Sequence, residues 1–163
     1  MYPKEQSTYQ VLGSIYKALG KNTDAAAAFR RSIGLFPKNA MAYRRLSAVL
    51  RAMGDQEGAT DALLTGMMQT PNNPGVLHDY AEDLRRRKQM HAASQVLQKA
   101  YTINPDNWPI IVSLAEVEQS LGHRPDAARA ISVMRGRLAA GEKPPANLQS
   151  HVDALLKPES DGP

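Results

Sequence analysis

The chain has 163 residues, 42% of them apolar and 22% charged, with a formal net charge of +4. That size supports one domain with a substantial core, and the modest charge gives little reason to expect a nucleic-acid binder. There is no cysteine, which excludes disulfides and thiolate metal sites and leaves the redox compartment open.

The first residues, MYPKEQ, contain no apolar stretch of the kind a secretory signal needs. No apolar run reaches the roughly 18 residues of a membrane-spanning helix. The cytoplasm is therefore the favoured compartment, with the periplasm open if the chain is a processed or truncated piece. Residues 1–5 read as a short extension ahead of a repeating pattern.

The repeat is explicit. Pro37, Pro71 and Pro105 are spaced by 34 residues, as are Ala25, Ala59, Ala93 and Ala127. Gly20, Gly54 and Gly122 share a phase, which Lys88 interrupts in the third copy. A fixed period of this size signals one supersecondary unit copied along the chain. The copies run 6–39, 40–73, 74–107 and 108–141.

Each copy reads as two helices. In the first, Tyr9, Leu12, Gly13 and Tyr16 lie on one stripe at steps of three and four, and a break follows around Gly20–Asn22. Thr23 and Asp24 are expected to cap a second helix whose apolar side carries Ala25, Ala28, Phe29 and Ile33. That helix stops before Pro37. Small residues (Gly13, Ser47, Ala81 and Ala115; Ala25, Ala59, Ala93 and Ala127) allow close approach, while Phe29, Leu63, Leu97 and Ile131 fill the space beside them. In the fourth copy the dipeptide Asp106–Asn107 is expected to cap the first helix, and Trp108 to pack between the third and fourth copies.

After the fourth copy comes a loop, AAGEKPP. Leu148, Val152, Leu155 and Leu156 then recur at helical spacing from about Pro145 or Ala146. A repeat stack exposes an apolar end face, so residues 142–157 read as a loop and a capping helix. Residues 158–163 read as a disordered tail. The other end has no comparable cover, so a partner, a second copy of the chain or further sequence ahead of it is expected to cover the first copy.

These columns resemble the tetratricopeptide repeat. The first copy matches that family's pattern through Tyr9, Leu12, Gly13, Tyr16, Gly20, Ala25, Phe29, Ser32 and Pro37. The second matches through Tyr43, Leu46, Ser47, Leu50, Gly54, Ala59, Leu63, Gly66 and Pro71, and the third keeps most of the columns. The fourth departs from it: Glu118 takes the second aromatic place, Met134 the small one and Ala139 the proline, so its second helix is expected to run past the usual end. The resemblance implies an all-α, right-handed superhelix of four helical hairpins plus the capping helix. It also implies a non-enzymatic module that binds a peptide or helical segment of another protein in a concave groove, as an assembly adaptor or scaffold. Bacterial secretion or pilus biogenesis would be a fitting setting by analogy.

In that family the first helix of each copy lines the groove. The phases carried over give one column of Lys17, Arg51, Arg85 and Gln119, and a second of Gln10, Arg44, His78 and Val112. A third holds Ser14, Ala48, Glu82 and Glu116, with Arg45, Asp79 and Arg86 beside them. Arg44, Arg51 and Arg85 are the expected main polar contacts, and guanidinium forks on a concave wall favour a carboxylate-bearing segment. Chaperone-tail clamps of the family need a lysine and asparagine set where this chain has Gln10, Ser14, Arg45, Gly75 and Asp79, so that specialisation is not expected.

Catalytic signals are poor. His78, His91, His123 and His151 fall at unrelated phases, with no histidine pair at three or four residues, so neither a metal site nor a cofactor is expected. His78, Asp79 and Glu82 read as a solvated polar face. No phosphate-cradling glycine loop and no nucleophile elbow occurs. The Arg85–Lys88 run suits the C-terminus of a helix and lacks interleaved aromatics for stacking bases. Self-association through the first copy is the alternative role, and helical-repeat RNA binding a more distant one.

Overall fold

The computed structural model describes residues 3–157, with side-chain surroundings from residue 8 onward. Nine α-helices occur in that range: α1 (Pro3–Ala18), α2 (Asn22–Leu35), α3 (Ala40–Ala52), α4 (Gln56–Gln69), α5 (Pro74–Arg86), α6 (Met90–Ile103), α7 (Trp108–Ser120), α8 (Arg124–Ala139) and α9 (Gln149–Leu156). Among the described residues there is no strand, and a single 3-10 turn at Ala146–Leu148 precedes α9. The all-α class is as expected. The expected extension differs, because α1 already begins at Pro3. Residues 1–2 and the expected tail, 158–163, lie outside the described residues.

Each turn within a hairpin is built alike. The second residue after the first helix has positive φ: Gly20 at 73°, Gly54 at 85°, Lys88 at 61° and Gly122 at 72°. The next amide bonds back to the carbonyl five residues earlier, as Lys21 N–H does to Tyr16 O and His123 N–H to Glu118 O. Lys88 holds this conformation at a steric cost that glycine avoids. Lys88→Gly is therefore expected to stabilise the chain by about 0.5–1 kcal/mol, read as a higher urea midpoint.

The helix starts show a regularity that the proline column conceals. Asn39, Asn73 and Asn107 each stand two residues after a column proline. Their side-chain oxygens accept hydrogen bonds from the amides of Ala42, Val76 and Ile110 at 3.4, 3.0 and 3.3 Å. The cap at Asn107 is as expected. The expected caps Thr23 and Asp24 are not: α2 starts at Asn22 with no side-chain cap, so both residues lie inside its first turn. There Asp24 still suits the positive helix end. The proline-marked helices α2, α4 and α6 have 14 residues each, whereas α8, with Ala139 in the proline place, runs to 16.

The chain divides into two compact bodies, 1–83 and 84–163, with the boundary inside α5. In the N-terminal body Ala25, Ala26, Phe29, Leu46, Val49, Leu50, Ala59 and Ala62 form the core, flanked by Tyr16 and Ile33. The small residues there are needed where they stand. A Cβ on Gly13 would lie 2.6 Å from the Phe29 ring, and one on Gly66 would lie 2.8 Å from Tyr43 Cβ. In the C-terminal body Trp108, Ile111, Val112, Ala115, Ala130 and Met134 pack with Val152 and Leu155 of α9. The capping helix thus supplies the apolar cover its spacing predicts. Trp108 is buried, and the Arg137 guanidinium lies 4.6 Å from its ring centroid.

Candidate functional site: the polar wall of the first helices

In the N-terminal body the predicted wall residues come together as an ion-paired lattice. Arg44 donates from Nε to Asp79 Oδ2 at 2.6 Å and from Nη2 to Asp79 Oδ1 at 3.1 Å, a two-pronged bond from α3 to α5. Its guanidinium also covers Gly75, where a Cβ would lie 2.8 Å from Nη1. Arg45 donates to Ser14 on α1, and Ser14 donates to the Gln10 carbonyl at 2.7 Å. Arg51 Nη2 reaches Asp83 Oδ1 at 3.3 Å, and the Thr60 hydroxyl donates to Asp83 Oδ2 at 2.7 Å. His78 sits 3.8 Å from Asp79 and 4.0 Å from Glu82.

These pairs join neighbouring copies. Their separations are 35 residues for Arg44–Asp79, 32 for Arg51–Asp83 and 31 for Arg45–Ser14. The arginines expected to await a ligand are thus already committed to internal acceptors. Ala48 is half-buried beside them, while Lys17 is exposed and has no ion pair among the described residues.

Burial by itself would push the Asp79 carboxyl up; hydrogen bonds and charge from His78 and Arg44 outweigh it and hold it below its ordinary value. A carboxyl depressed in the folded state adds stability above its unfolded value of roughly 3.9, and that stability is lost as pH falls through the folded value. Arg44→Gln is therefore expected to lose less stability than the parent chain between about pH 5 and 2. Urea unfolding across that range, with the Asp79 titration followed by NMR, checks it.

The C-terminal body holds the remaining wall residues. Arg85 pairs with Glu116, whose other oxygen lies 2.6 Å from His151 Nδ1 on α9. Arg86 and Gln119 are exposed. Val112 departs from expectation: it is only 2% exposed and belongs to the apolar core, because Val152 and Leu155 of α9 join its cluster.

Sequence reasoning missed three features. One is buried Asp83, the partner of Arg51. Another is Glu118, also buried, which accepts from Ser94 and stands 2.8 Å from His123 Nδ1. The third is the approach of His91 and His123, whose ring centroids are 6.0 Å apart. A search at roughly one-period separations, rather than at helical steps, finds the first and the third; the partners of Glu118 lie 24 and 5 residues away and escape it.

The sequence model of the tetratricopeptide repeat matches residues 6–39, the same bounds that the period gives for its first copy. The first hairpin is similar in sequence to a tetratricopeptide repeat. Solved structures extend the likeness of fold to most of the chain. Pseudomonas aeruginosa PilF has 20% identity and a TM-score of 0.73, over 94% of this chain and 68% of that one. MamA from residue 41 onward of Desulfovibrio magneticus RS-1 has 17% identity and a TM-score of 0.68, over 85% of this chain and 78% of that one. The first tetratricopeptide domain of Spaghetti, bound to an HSP90 peptide of sequence SRMEEVD, has 11% identity and a TM-score of 0.65, over 75% and 97%. No curated protein matches. Among the described residues no helix is long and apolar enough to cross a membrane.

Proposed function

We propose that the chain is a non-catalytic binding module that takes up a segment of another protein on the first-helix wall of its tetratricopeptide hairpins. The observation that carries this reading is the half-buried polar lattice of Arg44, Arg45, Arg51, His78, Asp79 and Glu82 in the N-terminal body. Dense guanidinium and carboxylate groups on the faces of first helices suit an extended or helical segment with acidic side chains. The peptide held by the Spaghetti domain is a precedent on this fold. An assembly adaptor is the role that best fits, and a bacterial setting rests on analogy with the sources of PilF and MamA.

The test avoids the paired arginines, whose loss disturbs the fold. Lys17→Glu and Ala48→Trp alter the wall; Arg30→Glu, on the exposed side of α2, is the control. A partner segment is identified by crosslinking in the source cell, then titrated calorimetrically against each folded variant. Weakening of roughly tenfold or more by both wall variants, with the control unchanged, supports the assignment. Equal affinity for all three overturns it.

Self-association is a second reading, favoured by one observation. Val11 and Ile15 on α1 and Leu19 just past its end recur at steps of four and are 56%, 49% and 65% exposed. Together they form an apolar stripe that a second copy of the chain can cover. Light scattering over a concentration series tests it, with Leu19→Glu as the dissociating variant. A monomer at high concentration eliminates it.

A further inference from the structure

Three polar residues of the fourth copy, two of them departures from the repeat pattern, converge in space. At the phase of Glu118 the earlier copies carry Tyr16, Leu50 and Leu84. At the phase of His123 they carry Lys21, Asp55 and Gln89, and at that of Asp126 they carry Asp24, Gly58 and Ala92. Only the fourth copy combines a carboxylate, an imidazole and a second carboxylate. Ligand atoms of Glu118, His123 and Asp126 all lie within 4.8 Å of one another.

The turn makes the meeting possible. Gly122 takes a φ of 72°, and the His123 amide bonds to the Glu118 carbonyl. The chain thereby folds back, and the His123 ring reaches the Glu118 side chain, with Nδ1 2.8 Å from Oε2. Asp126 follows in the first turn of α8. The His91 ring of α6 stands nearby, outside that cluster: its centroid is 6.0 Å from that of His123, with the planes inclined at 51°. Two imidazoles on one tetrahedral zinc, with Zn–N bonds of about 2.0–2.1 Å, place their centroids roughly 5 Å apart, close to this spacing.

Glu118 is the unusual member. It is 3% exposed at a phase where the other copies are apolar. Burying a carboxylate there is costly unless cations and donors compensate it. Ser94 donates to Oε1, which fixes the carboxylate and leaves Oε2 directed at His123. A carboxylate held by a hydroxyl on one oxygen and facing an imidazole with the other is an arrangement that a metal ligand takes. Arg129 holds Asp126 at 2.9 Å, but it is largely exposed and free to swing away.

We propose that Glu118, His123 and Asp126 bind one borderline divalent ion of the zinc class, with His91 turning in from α6 to complete the shell. Two neutral imidazoles with two carboxylates suit such an ion over calcium or magnesium, which take all-oxygen shells. Binding clamps the α6 end to the α7–α8 turn, so the ion acts on the stability of the C-terminal body.

The test titrates chelator-stripped, tag-free protein with zinc chloride by calorimetry, and with cobalt chloride by visible absorption. One ion per chain, tetrahedral cobalt bands and a higher melting temperature are expected. His123→Ala and His91→Ala, both at exposed positions, should each weaken affinity by at least the roughly 10–100-fold typical of losing even an outer partner. His151→Ala and His78→Ala should leave it unchanged. No saturable one-to-one uptake, or uptake that His123→Ala leaves intact, overturns the proposal.

Discussion

Replacing Phe29 by alanine is expected to destabilise the N-terminal body by about 3–5 kcal/mol, the usual cost of emptying a buried aromatic site. Phe29 is fully buried between the small residues that the repeat sets around it. The same contact predicts a change of sign at Gly13. In the parent chain Gly13→Ala drives a methyl to 2.6 Å from the Phe29 ring, an overpacking cost of about 1–3 kcal/mol that outweighs the helix preference for alanine. With Phe29 already alanine the clash disappears, and Gly13→Ala should then stabilise by up to about 1 kcal/mol. A double-mutant cycle by urea unfolding reads both values, and additive effects would refute the contact.

The second large effect is expected at Arg51. Asp83 is 3% exposed, and Arg51→Met removes the guanidinium that faces it. Removing one partner of a fully buried pair costs about 3–5 kcal/mol. Here the arginine side chain is 25% exposed, its contact is 3.3 Å and its Nε has no hydrogen-bond partner, so about 2–3 kcal/mol is expected. Arg51→Met combined with Asp83→Leu should recover most of the loss, because no charge is then left facing the core. Failure of the second substitution to rescue the first would show that Arg51 contributes by packing and not by charge.

Much of the architecture was legible because it repeats. A 34-residue period fixes where helices break, and the proline column even forecasts the overrun of α8 through Ala139. The cap at α2 was misread because Thr23 and Asp24 have suitable side chains, but the turn after Gly20 starts the helix earlier. The asparagine column was as periodic as the prolines and went unread beside them. The candidate wall was legible in its members but not in their state. Phase places Arg44 and Arg51 on one face, yet only the positions of neighbouring helices bring Asp79 and Asp83 against them. Val112 fails for the same kind of reason: its phase is that of the wall, and a helix outside the repeat covers it. Glu118 was noticed as a departure from the family pattern, but its histidine partners lie across a turn and on α6, beyond the reach of a helical-step search.

The internal partner of Arg44 sets terms for anything that docks there. An incoming carboxylate does not meet a vacant cation; it must evict Asp79 from a two-pronged grip, and the evicted group then has to find water. A lone glutamate trades one bond for an equal one and gains almost nothing. Only a guest that offers several acidic groups together, or rehouses Asp79 with a donor of its own, comes out ahead. Selectivity is thereby written into the wall's own internal pairing.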